Sequence, residues 1–169
     1  MIFMSRTTVI FHHDSDLPGR KSLRVVPNST HYDILSVTEQ SLTTFVNRFQ
    51  NGQKLPEITE KIQSRGNGKR SWQLASQEKP AAVLERTARS LPVTRDFRYA
   101  CDVKYTWFAV SLTGGDDTLS IPLTPPNRGW QATYIEATFS DGYVATTQVY
   151  ITPDEKYPEN SSSVSRSYL

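Results

Sequence analysis

The sequence predicts an α+β chain in which a strand-loop-helix unit precedes an antiparallel β-sandwich of immunoglobulin-like type. Three observations predict it. A single amphipathic helical pattern stands between Asp33 and Gly52. Seven short β-rich runs follow Pro56, separated by turn residues at the rhythm of a sandwich. The length of 169 residues suits one domain or two small ones. Composition excludes several classes. Aromatics at 11% argue against a disordered chain. No stretch approaches the roughly 18 unbroken apolar residues of a spanning helix, so no membrane span is expected. Nineteen Lys and Arg against 17 Asp and Glu leave a net charge of +2, too mild for nucleic acid as the main partner. One cysteine, Cys101, removes any internal disulfide framework and any Cys-rich metal site.

Met1-Ile2-Phe3-Met4-Ser5-Arg6 lacks the basic and apolar regions of a secretory signal and reads more like the interior of a protein. Thr8–Phe11 is a weakly apolar run, and Leu17-Pro18-Gly19 marks a turn. Ser22–Pro27, β-branched and closed by proline, predicts a short buried strand. A polar loop, Asn28–Asp33, leads to the helix, with Asp33 as its N-cap. Leu35, Leu42, Phe45, Val46 and Phe49 share one helical face, and Gly52 suits the position just past the end. The predicted strands are Glu57–Gln63, Lys69–Ala75, Ala81–Ala88, Lys104–Leu112, Thr118–Leu123, Trp130–Phe139 and Thr146–Thr152. Trp107 suits a core anchor in a central strand, and Asp141-Gly142 signals a hairpin. The chain therefore divides into 1–55, 56–153 and a polar, disordered tail over 154–169. Residues 1–55 cannot bury a core alone; they need a larger α/β sheet or must lean on the β-rich part.

Few residues carry a chemical signal. His31 lies after a predicted buried strand and before the amphipathic helix, where an α/β-hydrolase places the histidine of its triad. There the imidazole takes the nucleophile's proton while an acid fixes its tautomer. The bland alternative is a surface histidine or one bonded to Asp33. No Gly-x-Ser-x-Gly elbow occurs, and Asp14, Asp16 and Asp33 do not stand where the acid belongs; Asp16 reads as a turn residue. His12 and His13 are adjacent, so on a strand they point to opposite faces and do not share an ion; no metal ligand set is expected. Cys101 lies in a polar stretch with nothing to activate it. Arg95-Asp96-Phe97-Arg98 reads as a structural turn. Asn28-Ser29-Thr30 and Asn160-Ser161-Ser162 have the form of glycosylation sequons. Trp130, Tyr134 and Glu136 share one face of a segment that reads as one of two adjacent sandwich strands; the alternatives are a face that covers another domain or, second, one that binds a ligand.

Several segments together carry a resemblance. Asp16-Leu17-Pro18-Gly19, Leu23-Arg24-Val25-Val26-Pro27-Asn28-Ser29-Thr30-His31 and Asn51-Gly52-Gln53-Lys54-Leu55-Pro56 resemble the end of the hydrolase domain of the PhoPQ-activated pathogenicity-related family, which includes autocrine proliferation repressor proteins. Arg95–Arg98, Gly129–Glu136, Thr146–Pro153 and Tyr157-Pro158 resemble its C-terminal region. The resemblance implies an α/β-hydrolase-like parent with an appended β-sandwich, a link to virulence and antimicrobial-peptide resistance, and export to the periplasm or beyond. It makes His31 the general base of a complete parent and residues 1–55 the last part of its hydrolase domain. The chain is then expected to be the parent's C-terminal portion, inactive alone, with the hydrolase portion as partner and no cofactor. On this expectation, protease cuts residues 1–55 sooner than 56–153. The rival expectation is a stand-alone β-sandwich binding module, resting on the complete strand set and the Trp130–Tyr134 face.

Overall fold

The computed structural model describes residues 2–4, 22–30, 32–64, 70–92, 95–99, 105–112 and 118–153. Along them run β1 (Ile2–Met4), β2 (Leu23–Val25), α1 (Ile34–Gln50), β3 (Ile58–Ser64), β4 (Arg70–Ser76), β5 (Ala82–Ser90), β6 (Phe108–Ser111), β7 (Thr118–Leu123), β8 (Trp130–Thr138), β9 (Val144–Thr146) and β10 (Tyr150–Thr152). The strands form a seven-stranded sheet in the order β1-β2-β9-β8-β5-β6, with β10 also on β8, and a three-stranded sheet β3-β4-β7. Among the described residues every strand pairing is antiparallel except β1 with β2. The result is an α+β chain of mostly antiparallel sheet, an arrangement compatible with a sandwich.

The alternation of β8 sets the layers. Ile135 points to one face and joins Ile121 and Leu123 of the small sheet, with Ile58, Leu119 and Val83 packed around them. Tyr134, Ala132 and Trp130 point to the other face, into a cluster with Ala88, Val25, Phe97 and Trp107. Both faces are covered, so β8 is nearly continuously buried, as a central strand should be. A third cluster, Ala137, Phe139, Tyr143 and Ala145, receives Phe45 of α1 and Leu55.

Local chemistry explains the boundaries. Phe139 N–H donates to Tyr143 O at 2.8 Å around the loop Ser140-Asp141-Gly142, and Gly142 takes a positive φ of 81°. The hairpin signalled by Asp141-Gly142 thus closes with three loop residues. Gly129 is required just before β8: at φ 70° a Cβ would lie 2.4 Å from the Ser90 carbonyl oxygen. The expected strand Thr146–Thr152 is broken into β9 and β10. Fully buried Thr147 causes the break, since its hydroxyl accepts from Ile135 N at 2.9 Å where a ladder carbonyl would stand. The expected strand Lys104–Leu112 shortens to β6, an outer strand, and Trp107 anchors the core from the segment leading into it. β1 was not anticipated as a strand. The run Thr8–Phe11, the turn Leu17–Gly19 and the tail 154–169 lie outside the described residues.

The helix departs most from expectation. Leu35, Leu42, Val46 and Phe49 are 74, 47, 42 and 79% exposed, whereas Ser41 and Arg48 are buried. At about 100° per residue, the apolar side chains occupy an arc of nearly half the helix. Only one flank of that arc, with Ile34, Val37 and Phe45 at least half-buried, turns inward. Polar contacts choose that flank. Arg24 of β2 donates to Ser41 Oγ, and two carboxylates draw Arg48 inward.

Candidate functional site

The loop between β2 and α1 carries the predicted site residue. His31 itself lies outside the described residues, and its neighbours are held on both sides. Upstream, Asn28 adopts a left-handed φ of 53°, a conformation asparagine tolerates better than most residues. Its Oδ1 accepts from Trp107 N at 2.7 Å, and its Nδ2 donates to Trp107 O at 3.0 Å. The amide therefore pairs with a backbone 79 residues away as a neighbouring strand would. One N–H and the oxygen of the side-chain amide in the Asn28-Ser29-Thr30 sequon are thus engaged in this fold. Ser29 Oγ donates to Pro27 O at 3.1 Å.

Downstream, the Asp33 carboxylate accepts from Thr30 Oγ1 at 2.7 Å and Thr30 N at 3.3 Å. These bonds hold its carboxyl below the usual carboxylate range. Asp33 stands at the N-cap position, as expected, but its own backbone is helical and its side chain makes no cap bond. The side chain ties the loop rather than the helix. The sequence signal for capping was sound in position and misleading in partner.

Trp107 gives the loop a fixed reference. It is 5% exposed, its Nε1 donates to Phe97 O at 3.2 Å, and its ring meets Tyr134 edge-on at 5.0 Å. The same cluster shows what covers the Trp130–Tyr134 face. Trp130 and Tyr134 are 7 and 0% exposed, and Val25, Phe97 and Trp107 of the same chain fill the space over them. Burial pushes the Tyr134 hydroxyl far up; Glu136 adds to the rise and Arg86 and Arg24 oppose it. Glu136 itself is paired with Arg86 at 2.8 Å. At Asp96, the turn read from Arg95–Arg98 is present: the carboxylate accepts from Arg98 N at 3.0 Å and pairs with its guanidinium.

Sequence reasoning missed the strongest polar centre. Arg48 forks onto Glu78 at 2.9 and 3.0 Å and onto Asp141 at 2.5 and 2.9 Å. A further bond reaches Lys54 O at 3.2 Å, and the guanidinium lies 5.4 Å from the Phe139 ring centre and 4.9 Å from that of Tyr143. The available signal was the row Ser41, Thr44, Arg48 at spacings of three and four. Two carboxylates bracket one guanidinium here and take up both of its forks, so the centre reads as a strut between three segments. A cavity of ≈ 140 Å³ lies between β2, β9 and β3, lined by Ser22, Leu23, Ile58, Glu60, Thr146 and Gln148 among others. Glu60 is its one titratable lining group, and its Oε1 accepts from Gln148 N at 3.1 Å.

Among the described residues no three His, Cys, Asp or Glu gather as a metal site, and no helix is long and apolar enough to cross a membrane. His12, His13, Asp14, Asp16 and Cys101 lie outside the described residues. A family model described as PhoPQ-activated pathogenicity-related protein matches residues 3–98, more than half of the chain. No curated protein and no solved structure matches it.

Proposed function

The chain belongs to the PhoPQ-activated pathogenicity-related family, and from that membership we propose that it serves as the C-terminal part of an α/β-hydrolase-like protein. In this reading residues 1–55 are the last strand-loop-helix unit of the hydrolase domain. Residues 56–153 are an immunoglobulin-like sandwich appended to it. His31 is the general base that takes the proton of a nucleophile during hydrolysis of an ester or amide. The nucleophile and the orienting acid belong to a hydrolase portion outside this sequence, and the chain alone is inactive. The whole protein acts in the virulence and antimicrobial-peptide resistance that the family resemblance implies.

One observation carries the reading. The only parallel pairing among the described strands, β1 with β2, leads through the Asn28–Asp33 loop into α1. Parallel pairing followed by a helix is the repeating unit of α/β sheets, and the loop after such a strand is where a triad histidine sits.

The test is turnover of an activated ester by the chain alone and by the chain joined to the in-frame portion encoded upstream of Met1. The joined protein is expected to hydrolyse it, and His31→Ala is expected to lower kcat by on the order of 10⁴-fold. The chain alone should stay at background. Turnover by the chain alone that disappears in His31→Ala overturns the incomplete-site reading. A joined protein indifferent to His31→Ala overturns the role of the histidine.

A further inference from the structure

We propose that the outer edge of β6 is a self-association surface, on which a second copy of this chain adds its own β6 in antiparallel, two-fold pairing. Among the described residues β6 ends the large sheet, with β5 on its inner side. One bond fixes which way its backbone groups point. Leu112 N donates to Val83 O at 2.9 Å, so Val83 and Leu112 form a bonded pair. Bonded and non-bonded pairs alternate along an antiparallel ladder. Phe108 and Val110 therefore turn their N–H and C=O towards Thr87 and Glu85, their partners in β5. Trp107, Ala109 and Ser111 turn theirs outward. At Trp107 the Asn28 amide takes both groups, at 2.7 and 3.0 Å. Beyond Ala109 and Ser111 no described strand stands.

β6 also lacks the usual means of keeping an edge unpaired. Its residues, Phe108-Ala109-Val110-Ser111, include no charge and no proline. By alternation Phe108 and Val110 share a face with Leu112. Leu112 packs with Ile121, Leu123 and Ile135, whereas Phe108 and Val110 stand 65 and 56% exposed, beyond the reach of that cluster. The symmetry of the strand selects a second copy as the occupant. With Val110 on the two-fold axis, Ala109 of each copy exchanges both its bonds with Ser111 of the other. Val110 then faces Val110 and Phe108 faces Leu112, so apolar side chains meet apolar ones and no like charges oppose each other. A slip that sets Ala109 against Ala109 brings Ser111 opposite Trp107, whose groups Asn28 already holds. Asn28 thus excludes that register. A net charge of +2 repels a second copy only mildly. So short an edge buries less than the roughly 1,000 Å² of a stable interface, so the pairing is weak and depends on protein concentration.

The experiment is sedimentation equilibrium of the full chain over about a hundredfold range of concentration, beside Ala109→Pro. The unaltered chain is expected to pass from monomer towards dimer. Ala109→Pro removes an outward N–H and spares the bonds to β5, so it should raise the dissociation constant about tenfold or more. Cross-linking checks the register and does not depend on the proline variant folding. In a chain carrying Cys101→Ser, Val110→Cys should form an interchain disulfide about tenfold faster than Phe108→Cys, because position 110 faces itself across the axis. The proposal is overturned if the unaltered chain stays monomeric throughout. Slow amide exchange at Ala109 and Ser111 in that monomer would assign the edge to another part of the chain, and fast exchange would leave it open. The proposal is equally overturned if folded Ala109→Pro associates as the unaltered chain does, or if Phe108→Cys cross-links as fast as Val110→Cys. None of these measurements reads hydrolysis, so the proposal stands or falls apart from the proposed function.

Discussion

Arg48 shows how one side chain binds three segments. A buried guanidinium is costly unless its charge and its donors are met. Here Glu78 and Asp141 each take a fork, from carboxylates whose side chains are still 40 and 32% exposed. Removing the arginine leaves two like charges that water can partly reach, so the loss is smaller than for a fully buried partner. Arg48→Met is expected to cost about 2–3 kcal/mol by urea denaturation. Arg48→Lys should recover less than half, because one ammonium cannot form two forks. A loss within about 0.5 kcal/mol would place the centre with ordinary surface ion pairs. The pH dependence has a definite sign. Arg48's bonds are the main cause holding the Asp141 carboxyl below its usual range. The folded state then binds that proton less tightly than the unfolded state. The stabilisation is present above the unfolded value of about 3.9 and is lost as pH falls through the lower folded value. The gap between the unaltered chain and Arg48→Met should therefore narrow as the urea midpoint is followed below about pH 4.

At the scale of the element, α1 is a helix with more apolar surface than its sheet covers. Leu35 and Phe49, 74 and 79% exposed, contribute nothing to the core. Leu35→Gln with Phe49→Gln should change stability by no more than about 0.5 kcal/mol. Phe45→Ala, which empties a place against Phe139 and Tyr143, should cost about 2 kcal/mol. Equal effects in urea denaturation would contradict the observed orientation. The same helix marks what sequence can and cannot tell. Its extent was legible, because 3.6-residue spacing and Gly52 report a local preference. So were most strands, because alternation and turn residues are also local. Which flank of α1 turns inward was not legible. That choice is made by Arg24, Glu78 and Asp141, partners 17, 30 and 93 residues from theirs. The candidate site divides in the same way. Residue type and order single out His31, whereas nothing near Asn28 in sequence announces Trp107. The Thr147 hydroxyl that splits β9 from β10 was equally hidden, since a threonine in a β-rich run reads as strand.

At the scale of the molecule, the question is whether the first strand-loop-helix unit stands apart from the sheets. The seam between them is specific. β2 pairs with β1 on one side and with β9 on the other, through Leu23 and Thr146. Val25 N donates to Thr146 Oγ1 at 3.0 Å, and that hydroxyl donates to Leu23 O at 3.2 Å, so a side chain extends a short ladder. Val25 lies in the same cluster as Trp107 and Trp130, the Asn28 clamp sits beside it, and Arg48 closes the far end of α1. A unit tied by a strand pair, a shared core, an amide clamp and two forks should not unfold ahead of its neighbours, because each tie requires both sides to be folded. Thermal unfolding followed at 222 nm reports mainly α1, while tryptophan fluorescence includes Trp107 and Trp130 in the shared core. The two curves are expected to coincide. Proteolysis within 32–54 should be no faster than within 118–153, which reverses the order expected from the sequence, in which residues 1–55 are cut sooner than 56–153. A helix signal lost several degrees before the fluorescence signal, or a rapid first nick in α1, would show that the seam does not couple the two parts.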